Sequence, residues 1–307
     1  MNILVTGGAG FIGSHIVDAY VELGHRVVVL DNLSSGKKER LNPDAVFYEL
    51  DLLDPGVEKI FGEEKIEAVN HHAAQISVTE SVADPIYDAR VNILGSLHLL
   101  KYAAAAGVPK FIFASTGGAI YGEQETFPAG ESHPCRPLSP YGIGKFCVEN
   151  YLRFYRETLG LETVVLRYSN VYGPRQDPYG EAGVVAIFCQ KFLENKPPVI
   201  FGDGEQTRDF ISVFDVVRAN TTVLTESILG TYNISTAKET TVNALSRHLI
   251  RLCGQDLEAQ YAPPREGEQM RSVIDSRKFQ QESGWVPADS LEEGLQKTFD
   301  YFSSQKV

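Results

Sequence analysis

The stretch TGGAGFIGSH, residues 6–15, follows a short apolar run and carries three glycines at a spacing of three, Gly7, Gly10 and Gly13. Glycine allows a tight turn and lets the backbone come close to a ligand. A helix that begins after such a turn offers free backbone N–H groups to an anion. The stretch therefore predicts a strand, an anion-binding loop and a helix in succession.

Apolar runs alternate with amphipathic stretches from the first residue onward. The runs are rich in Val, Ile and Phe with little polar alternation, which is typical of parallel strands buried on both faces. The predicted strands are 3–5, 26–30, 45–49, 67–70, 110–114 and 163–167, and predicted helices include 14–23, 92–106 and 141–158. This order predicts an α/β fold with a doubly wound parallel Rossmann sheet.

The composition changes near residue 174, where prolines cluster and the predicted elements become shorter. We expect a dinucleotide-binding Rossmann domain at 1–173 and a smaller C-terminal α/β substrate domain at 174–307. A segment at 210–228 is expected to return to the first domain.

An acidic residue closes the second predicted strand. Asp31 lies about 20 residues beyond the glycine loop, where a carboxylate bonds the adenosine ribose hydroxyls and repels a 2′-phosphate. The pattern therefore favours NAD over NADP, and the plainer alternative is a glycine-rich turn beside a capping aspartate. Asp51 and Leu52, after the third strand, are candidates to frame the adenine, although an acid there equally suits a helix cap.

The charge balance limits the possible partners. The chain has 28 Lys+Arg and 40 Asp+Glu, a formal net charge of −12, which predicts no nucleic-acid partner and no binding to anionic membranes. No apolar run approaches the roughly 18 residues that span a bilayer, and the N-terminus lacks the features of a signal peptide. The four cysteines have neither metal nor disulfide spacing, so we expect a cytoplasmic protein without a metal.

Two residues of SPYGIGKF, Tyr141 and Lys145, are four apart on a predicted helix, so their side chains share one face. A phenol has a pKa near 10, and a neighbouring ammonium favours its phenolate form. A Tyr and a Lys at this spacing also occur by chance in many helices. The upstream glycine loop and the strand that ends in Ser115 and Thr116 favour a catalytic role for the pair.

Several stretches together resemble the extended short-chain dehydrogenase/reductase family over nearly the whole chain, and within it the nucleotide-sugar enzymes, most closely the UDP-glucose (UDP-galactose) 4-epimerases. They are TGGAGFIGSH, DNLSSG, NHHAAQISV, ASTGGAIYG, SPYGIGK, LRYSNVYGPRQ, FGDGEQTRDFISVFDV and PPREGE. The resemblance implies an isomerase that interconverts UDP-glucose and UDP-galactose by transient oxidation at C4, with NAD as cofactor. It also implies a homodimer that pairs the helices at 92–106 and 141–158.

The resemblance assigns roles to the catalytic residues. Tyr141 would be the general base and acid at the sugar's 4-hydroxyl, and Lys145 would bind the nicotinamide ribose and lower the pKa of Tyr141. Thr116 would bond the same hydroxyl when the alignment starts from Phe113, whereas counting back from Tyr121 reaches Gly117. Ser115 is the reserve candidate. The implied cofactor-binding residues are Gly7, Gly10, Phe11, Ile12, Gly13, Asp31, Asn32, Ser35, Gly36, Asp51, Leu52, Ala73, Ala74, Gln75, Asn92, Lys145 and Tyr168.

The implied substrate-binding residues are Thr116, Tyr141, Asn170, Val184, Phe201, Arg208, Arg265 and Ser272. Guanidinium groups suit phosphate oxygens, which supports Arg208 and Arg265 as ligands of the diphosphate. Surface ion pairs with Asp209 and Glu266 are the alternative for these arginines. Phe201 equally suits a core aromatic, and His71 and His72 are interpreted as structural.

The residues that follow Thr116 differ between related enzymes that catalyse different reactions. The 4,6-dehydratases carry an Asp-Glu pair there and the UDP-glucuronate decarboxylases a Glu, whereas this chain has Gly117, Gly118 and Ala119. None of these can move a proton, which favours epimerisation. The small Ser272 suggests room for N-acetylated UDP-sugars. Alternatives are a UDP-glucuronate 4-epimerase, another nucleotide-sugar epimerase or dehydratase, and a non-catalytic NAD sensor.

Overall fold

A computed structural model of the chain describes residues 1–179, 183–254, 257–265 and 267–305. The strands are β1 (Asn2–Thr6), β2 (Arg26–Asp31), β3 (Val46–Glu49), β4 (Ala68–His71), β5 (Lys110–Thr116), β6 (Glu162–Tyr168), β7 (Asn170–Tyr172), β8 (Val199–Phe201), β9 (Thr207–Arg208), β10 (Phe210–Ser212), β11 (Gly230–Ile234), β12 (Thr240–Thr241), β13 (Gln260–Ala262) and β14 (Arg271–Ser272).

The α-helices are α1 (Phe11–Glu22), α2 (Val57–Glu64), α3 (Val78–Ala83), α4 (Pro85–Ala89), α5 (Gly95–Ala105), α6 (Gly117–Ile120), α7 (Pro140–Leu159), α8 (Val184–Leu193), α9 (Val213–Thr225), α10 (Val242–Cys253), α11 (Arg277–Ser283) and α12 (Leu291–Ser304). A 3₁₀ turn covers Lys38–Arg40, and a π-helical turn at Arg90–Leu94 leads into α5.

Seven parallel strands pair in the order β11-β6-β5-β4-β1-β2-β3. Helices cover both faces, because the apolar side chains of each strand alternate between two separate buried clusters. The strand order reverses between β1 and β4, and ligands of such sheets bind at the carboxyl ends of the strands at this reversal. The predicted doubly wound fold is confirmed.

The C-terminal half builds a smaller layer of its own. Helices α8, α10 and α12 pack around a third buried cluster that includes Phe188, Phe192 and Leu245. Short strands lie beside it: β9 pairs with β12 and β14, and β8 pairs with β13.

The chain returns to the large sheet after the small layer begins. Helix α9 packs on the same buried cluster as α1, and β11 then pairs with β6 as an edge strand. The return therefore continues past the predicted residue 228 to Ile234, because Tyr232 and Ile234 bury their side chains against the sheet. This run, GTYNI, contains a glycine and an asparagine, so it matches the pattern of a buried apolar strand only weakly.

Within the described ranges, none of the helices has the length and apolar character that crossing a bilayer requires.

Candidate active site

The loop between β1 and α1 has no room for side chains at two of its glycines. Gly7 has φ +70°, and a Cβ there would lie 2.7 Å from the backbone N of Ala73. A Cβ at Gly13 would lie 2.2 Å from the carbonyl oxygen of Gly7. The absence of side chains lets the loop pack against the segment after β4 and leaves its backbone at the wall of a cavity.

This cavity lies at the carboxyl ends of the central strands, where the strand order reverses. Every predicted cofactor-binding residue lines it except Gly36 and Asn92. The cavity is also lined by apolar residues that the sequence did not predict: Leu30, Leu50, Leu53, Ile76, Tyr87 and Val91. Leu50 and Leu53 flank the predicted pair Asp51 and Leu52, so a signal for them was present.

The two exceptions, Gly36 and Asn92, contact residues that line the cavity. A Cβ on Gly36 would lie 2.7 Å from Oδ1 of Asp31, so this glycine lets the chain pass close to the carboxylate. Asn92 lies in the π-helical turn, donates from Nδ2 to the carbonyl oxygen of Gln75 at 2.9 Å and accepts the Gln75 N–H at 3.0 Å. Asn92 thereby fixes the backbone of the cavity-lining segment after β4.

The acidic residues are fixed by backbone donors. Asp31 is 8% exposed and accepts the N–H of Ala9 at 3.0 Å and of Leu33 at 2.8 Å. Asp51 accepts the N–H of Leu53 and the side chain of Asn32, both at 2.9 Å, so it serves the local turn and the cavity wall together. A carboxylate retains further lone pairs for ribose hydroxyls after two such bonds. The glycine cradle and these acceptors fit NAD.

The predicted catalytic pair lies at the start of α7, which Ser139 caps by accepting the N–H of Gly142 at 3.2 Å. The hydroxyl of Thr116 lies beside the phenol of Tyr141. Burial raises the pKa of Tyr141, the charge of Asp88 raises it further, and the neighbouring Thr116 hydroxyl opposes both.

This direction differs from the lowered pKa that the sequence suggested, because burial of the phenol outweighs any effect of the Lys145 ammonium, whose Nζ lies 6.0 Å from the Tyr141 ring centroid. Its Nζ donates to the carbonyl oxygen of Ala114 at 3.0 Å and lies 4.8 Å from the ring centroid of Phe113. Burial lowers the pKa of Lys145 to about 8, against the opposing charges of Asp88 and Glu149.

The two hydroxyls at the end of β5 have different partners. The Thr116 hydroxyl meets Tyr141, whereas Ser115 donates to Oε1 of Glu149 at 2.6 Å. Successive side chains of a strand point to opposite faces, which separates the two. The structure thus brings Thr116, and not the hydroxyl of Ser115, to the phenol.

The two glycines after Thr116 also differ. A Cβ on Gly117 would lie 2.3 Å from Cδ1 of Ile274, so this position is closed by packing. A Cβ on Gly118 would lie 3.9 Å from both Oγ1 of Thr116 and Oδ1 of Asn170. Gly118 therefore leaves open the space between two predicted substrate ligands.

The other predicted substrate ligands form two pairs in the small layer. Arg208 on β9 lies opposite Ser272 on β14, and Arg265 stacks on the ring of Phe201 with its guanidinium carbon 4.1 Å from the ring centroid. Val184 begins α8. None of the six from Asn170 to Ser272, all in the described part of the chain, lines the dinucleotide cavity.

The ion-pair alternative for Arg208 involves a different acid from the one considered. Arg208 lies 3.4 Å from Oε1 of Glu268, and burial lowers its pKa. Asp209 is buried instead and accepts from the N–H and hydroxyl of Thr236, and burial raises its pKa to about 6. Glu266, the acid considered for Arg265, lies outside the described residues.

His71, at the end of β4, is buried, and His72, directly after it, is partly buried. His71 lies between the hydroxyls of Thr6, at 2.7 Å, and Ser96, at 2.8 Å, and burial lowers its pKa well below the usual value. His72 stacks on Tyr168, and burial lowers its pKa to about 3. Both are neutral near pH 7, and His72 also lines the cavity, which the sequence did not indicate. Across the described residues, no group of three or more His, Cys, Asp or Glu is placed to hold a metal ion.

The sequence profile of the NAD dependent epimerase/dehydratase family matches residues 3–235. The chain belongs to this family. It is similar to the UDP-glucose 4-epimerase of Thermotoga maritima, which was crystallised with UDP-glucose (52% identity, TM-score 0.98, 100% of both chains). It is also similar to the UDP-glucose 4-epimerase of Thermus thermophilus with NAD (46% identity, TM-score 0.95, 100% of both chains).

A further similar structure is the UDP-N-acetylglucosamine 4-epimerase of Methanobrevibacter ruminantium in complex with UDP-N-acetylmuramic acid (39% identity, TM-score 0.95, 99% of this chain and 98% of the other). These matches confirm the predicted family and the prediction of an NAD-dependent isomerase.

Proposed function

We propose that the chain is a UDP-sugar 4-epimerase that interconverts UDP-glucose and UDP-galactose. The observation that carries this is the placement of the Tyr141 phenol beside the Thr116 hydroxyl and a loop, residues 117–119, that holds no acid. Eliminating water would need an acid and a base in that loop. Without them, the reaction that remains is oxidation at C4 followed by reduction of the same carbon.

We assign the cofactor to residues 1–173 and the return segment, and the nucleotide-sugar to the small layer. NAD, when bound, accepts and returns a hydride and brings the positive charge of its oxidised nicotinamide ring. Asp31 would bond its adenosine ribose, the loop at Gly7–Gly13 its diphosphate, and Lys145 its nicotinamide ribose. This assignment rests on the fit of the cavity walls to a dinucleotide.

Tyr141 accepts the proton of the 4-hydroxyl as C4 is oxidised and donates it back when C4 is reduced on its other face. Thr116 orients that hydroxyl and donates to the oxygen as it becomes a carbonyl. Arg208 and Arg265 hold the diphosphate while the sugar turns, and Gly118 leaves the space for turning.

The test is to incubate the purified protein with UDP-galactose and to follow the configuration at C4 by NMR. The proposal predicts UDP-glucose as the product and no 6-deoxy-4-keto sugar. An NAD-containing protein that leaves UDP-galactose unchanged, or that releases a dehydrated or decarboxylated sugar, would contradict it.

N-acetylated UDP-sugars are a second class of substrate. Ser272 is 4% exposed and lies opposite Arg208, so a small side chain stands next to a proposed diphosphate ligand. The likeness to a UDP-N-acetylglucosamine 4-epimerase supports the same inference. Failure to epimerise UDP-N-acetylglucosamine, in a preparation active on UDP-galactose, would refute it.

We further propose a homodimer through α7 and the π-helical turn before α5. Large apolar side chains are exposed there: Ile143 and Phe154 on α7 by 53% and 50%, and Leu94 by 51%. A second copy would cover this apolar surface. Light scattering should give the mass of a dimer, with Phe154→Glu shifting it toward the monomer; a monomeric wild type would contradict the proposal.

All four cysteines are free thiols. This favours a reducing compartment, and we infer a cytoplasmic location. Fractionation of the source cells tests it, and recovery outside the cytoplasm would refute it.

A further inference from the structure

A buried ion pair lies behind the end of the strand that carries Thr116. The side chains of Glu149 on α7 and Arg167 on β6 are only 5% and 6% exposed. Arg167 donates from Nη2 to Oε2 at 2.6 Å and from Nε to Oε1 at 3.0 Å. Replacing a buried pair by apolar residues is often neutral or stabilising, so stability alone does not explain this one.

Glu149 belongs to the same face of α7 as the catalytic pair, since Tyr141, Lys145 and Glu149 follow at intervals of four. Lys145 bonds the carbonyl oxygen of Ala114, and Glu149 accepts from the hydroxyl of Ser115 at 2.6 Å. The helix is thus tied to two successive residues of β5. The next residue is Thr116, which meets Tyr141.

Arg167 fixes the direction of the Glu149 carboxylate. It lies directly across from Ser115 in the pairing of β5 with β6. Its guanidinium forms a two-pronged contact that leaves Oε1 of Glu149 facing the serine. Its remaining terminal nitrogen donates to the hydroxyl of Tyr121 at 2.9 Å, at the end of the glycine-containing loop. One side chain therefore holds the helix, the strand end and the loop.

We propose that Glu149 and Arg167 are positioning residues: they clamp α7 onto Ser115 and so set the contact between Tyr141 and Thr116. The inference rests on the proposed epimerase function. It also gives Ser115 a role other than that of a spare catalytic hydroxyl, because its hydrogen is committed to Glu149.

The experiment compares Ser115→Ala and Glu149→Gln with a matched control, Thr163→Val. Thr163 is buried on β6, and its hydroxyl also ties the strand to α7, at the carbonyl oxygen of Leu152 (3.3 Å), far along the helix from Tyr141. The clamp predicts that kcat for UDP-galactose falls roughly 10- to 100-fold in the first two variants, with KM within about twofold. It predicts kcat within about twofold of wild type for Thr163→Val.

A second readout does not depend on turnover. Amide hydrogen exchange of residues 140–146 should be faster in Ser115→Ala than in Thr163→Val. Ser115→Ala leaves the ion pair intact, so it carries the test if Glu149→Gln does not fold. Wild-type kcat in Ser115→Ala, an equal fall in Thr163→Val, or equal exchange in the two would overturn the clamp. A wild type that turns over no UDP-sugar refutes the proposed function instead, and the exchange comparison still decides the clamp.

Discussion

The two halves of the molecule build their binding surfaces in different ways. In the dinucleotide half, one cavity at the edge of one sheet is shaped by backbone that passes too close for side chains, as at Gly7 and Gly13. In the half proposed to bind the nucleotide-sugar, side chains lie in pairs: Arg208 on β9 with Ser272 on β14, and Arg265 with Phe201 at the end of β8. Added atoms should therefore damage the first half most, and removed charges the second.

The largest effect is expected where the two halves meet. Tyr141→Phe should lower kcat by at least about 1000-fold, because the variant has no group to exchange the 4-hydroxyl proton, while NAD remains bound. Product formation and NAD content are measured together. The control is Tyr232→Phe, whose hydroxyl bonds Glu282 and the carbonyl of Leu229 away from the site. Near-normal turnover by Tyr141→Phe would show that Tyr141 is not the catalytic base.

Lys145 tests how far a buried charge in the dinucleotide-binding half destabilises the fold. Its folded pKa of about 8 lies below the ordinary value of 10.5, so the unfolded chain binds more protons between these values. The destabilisation, about 3 kcal/mol, is fully present below pH 8 and disappears as pH rises toward 10.5. Lys145→Met should therefore stabilise the NAD-free protein by about 2 kcal/mol at pH 7, after loss of the Ala114 bond of about 1 kcal/mol.

Urea unfolding at pH 7 and pH 10 measures this gain, which should shrink at the higher pH. The exposed Lys101 serves as control, since Lys101→Met should change stability little at either pH. A gain from Lys145→Met that grows with pH would show that the buried ammonium does not destabilise the fold.

Adding one methyl group tests the backbone-built half. Gly13→Ala places a Cβ where the Gly7 carbonyl oxygen lies 2.2 Å away, so the loop must shift and NAD binding should weaken roughly 10- to 100-fold. Gly62→Ala on α2 is the control, because a Cβ there meets nothing within 4 Å. NAD titration of the cofactor-free protein measures both. Equal NAD affinities in the Gly13→Ala and Gly62→Ala variants would contradict the inference that closely packed backbone shapes the cofactor site.

Removing a charge tests the other half and gives the smallest effect. Arg208→Met should raise KM for UDP-galactose about 10-fold, with kcat and NAD affinity nearly unchanged, because a charge-assisted bond to the diphosphate is lost. Arg271→Met is the control, since Arg271 is exposed and pairs with Glu239. Steady-state kinetics with both variants measures the effect; a KM at the wild-type value would argue against Arg208 as a diphosphate ligand.

The same contrast explains what could be predicted from the sequence. The cofactor cavity depends on spacings within short stretches, such as Gly7 to Gly13 and Asp31 at a strand end, and nearly all of its predicted residues line it. The tie between Ser115 and Glu149 joins residues 34 positions apart, and no local spacing encodes it. For that reason the sequence left Ser115 and Thr116 as alternatives, whereas the structure gives them different partners.

Two other features depended on the folded environment. Burial raises the pKa of Tyr141, an effect that the spacing to Lys145 does not contain. The partner of Arg208 is Glu268, whereas the neighbouring Asp209, between β9 and β10, is buried and accepts from the hydroxyl of Thr236.

The central claim is that hydrogen leaves C4 and returns to the same carbon while only Tyr141 exchanges protons with the sugar oxygen. The most direct measurement is epimerisation of UDP-galactose in D₂O, followed by NMR. The account predicts UDP-glucose that keeps its original hydrogen at C4 and has no deuterium on the sugar carbons. Deuterium at C4 would show a proton taken from carbon, and deuterium at C5 or C6 would show elimination; either result would contradict the account.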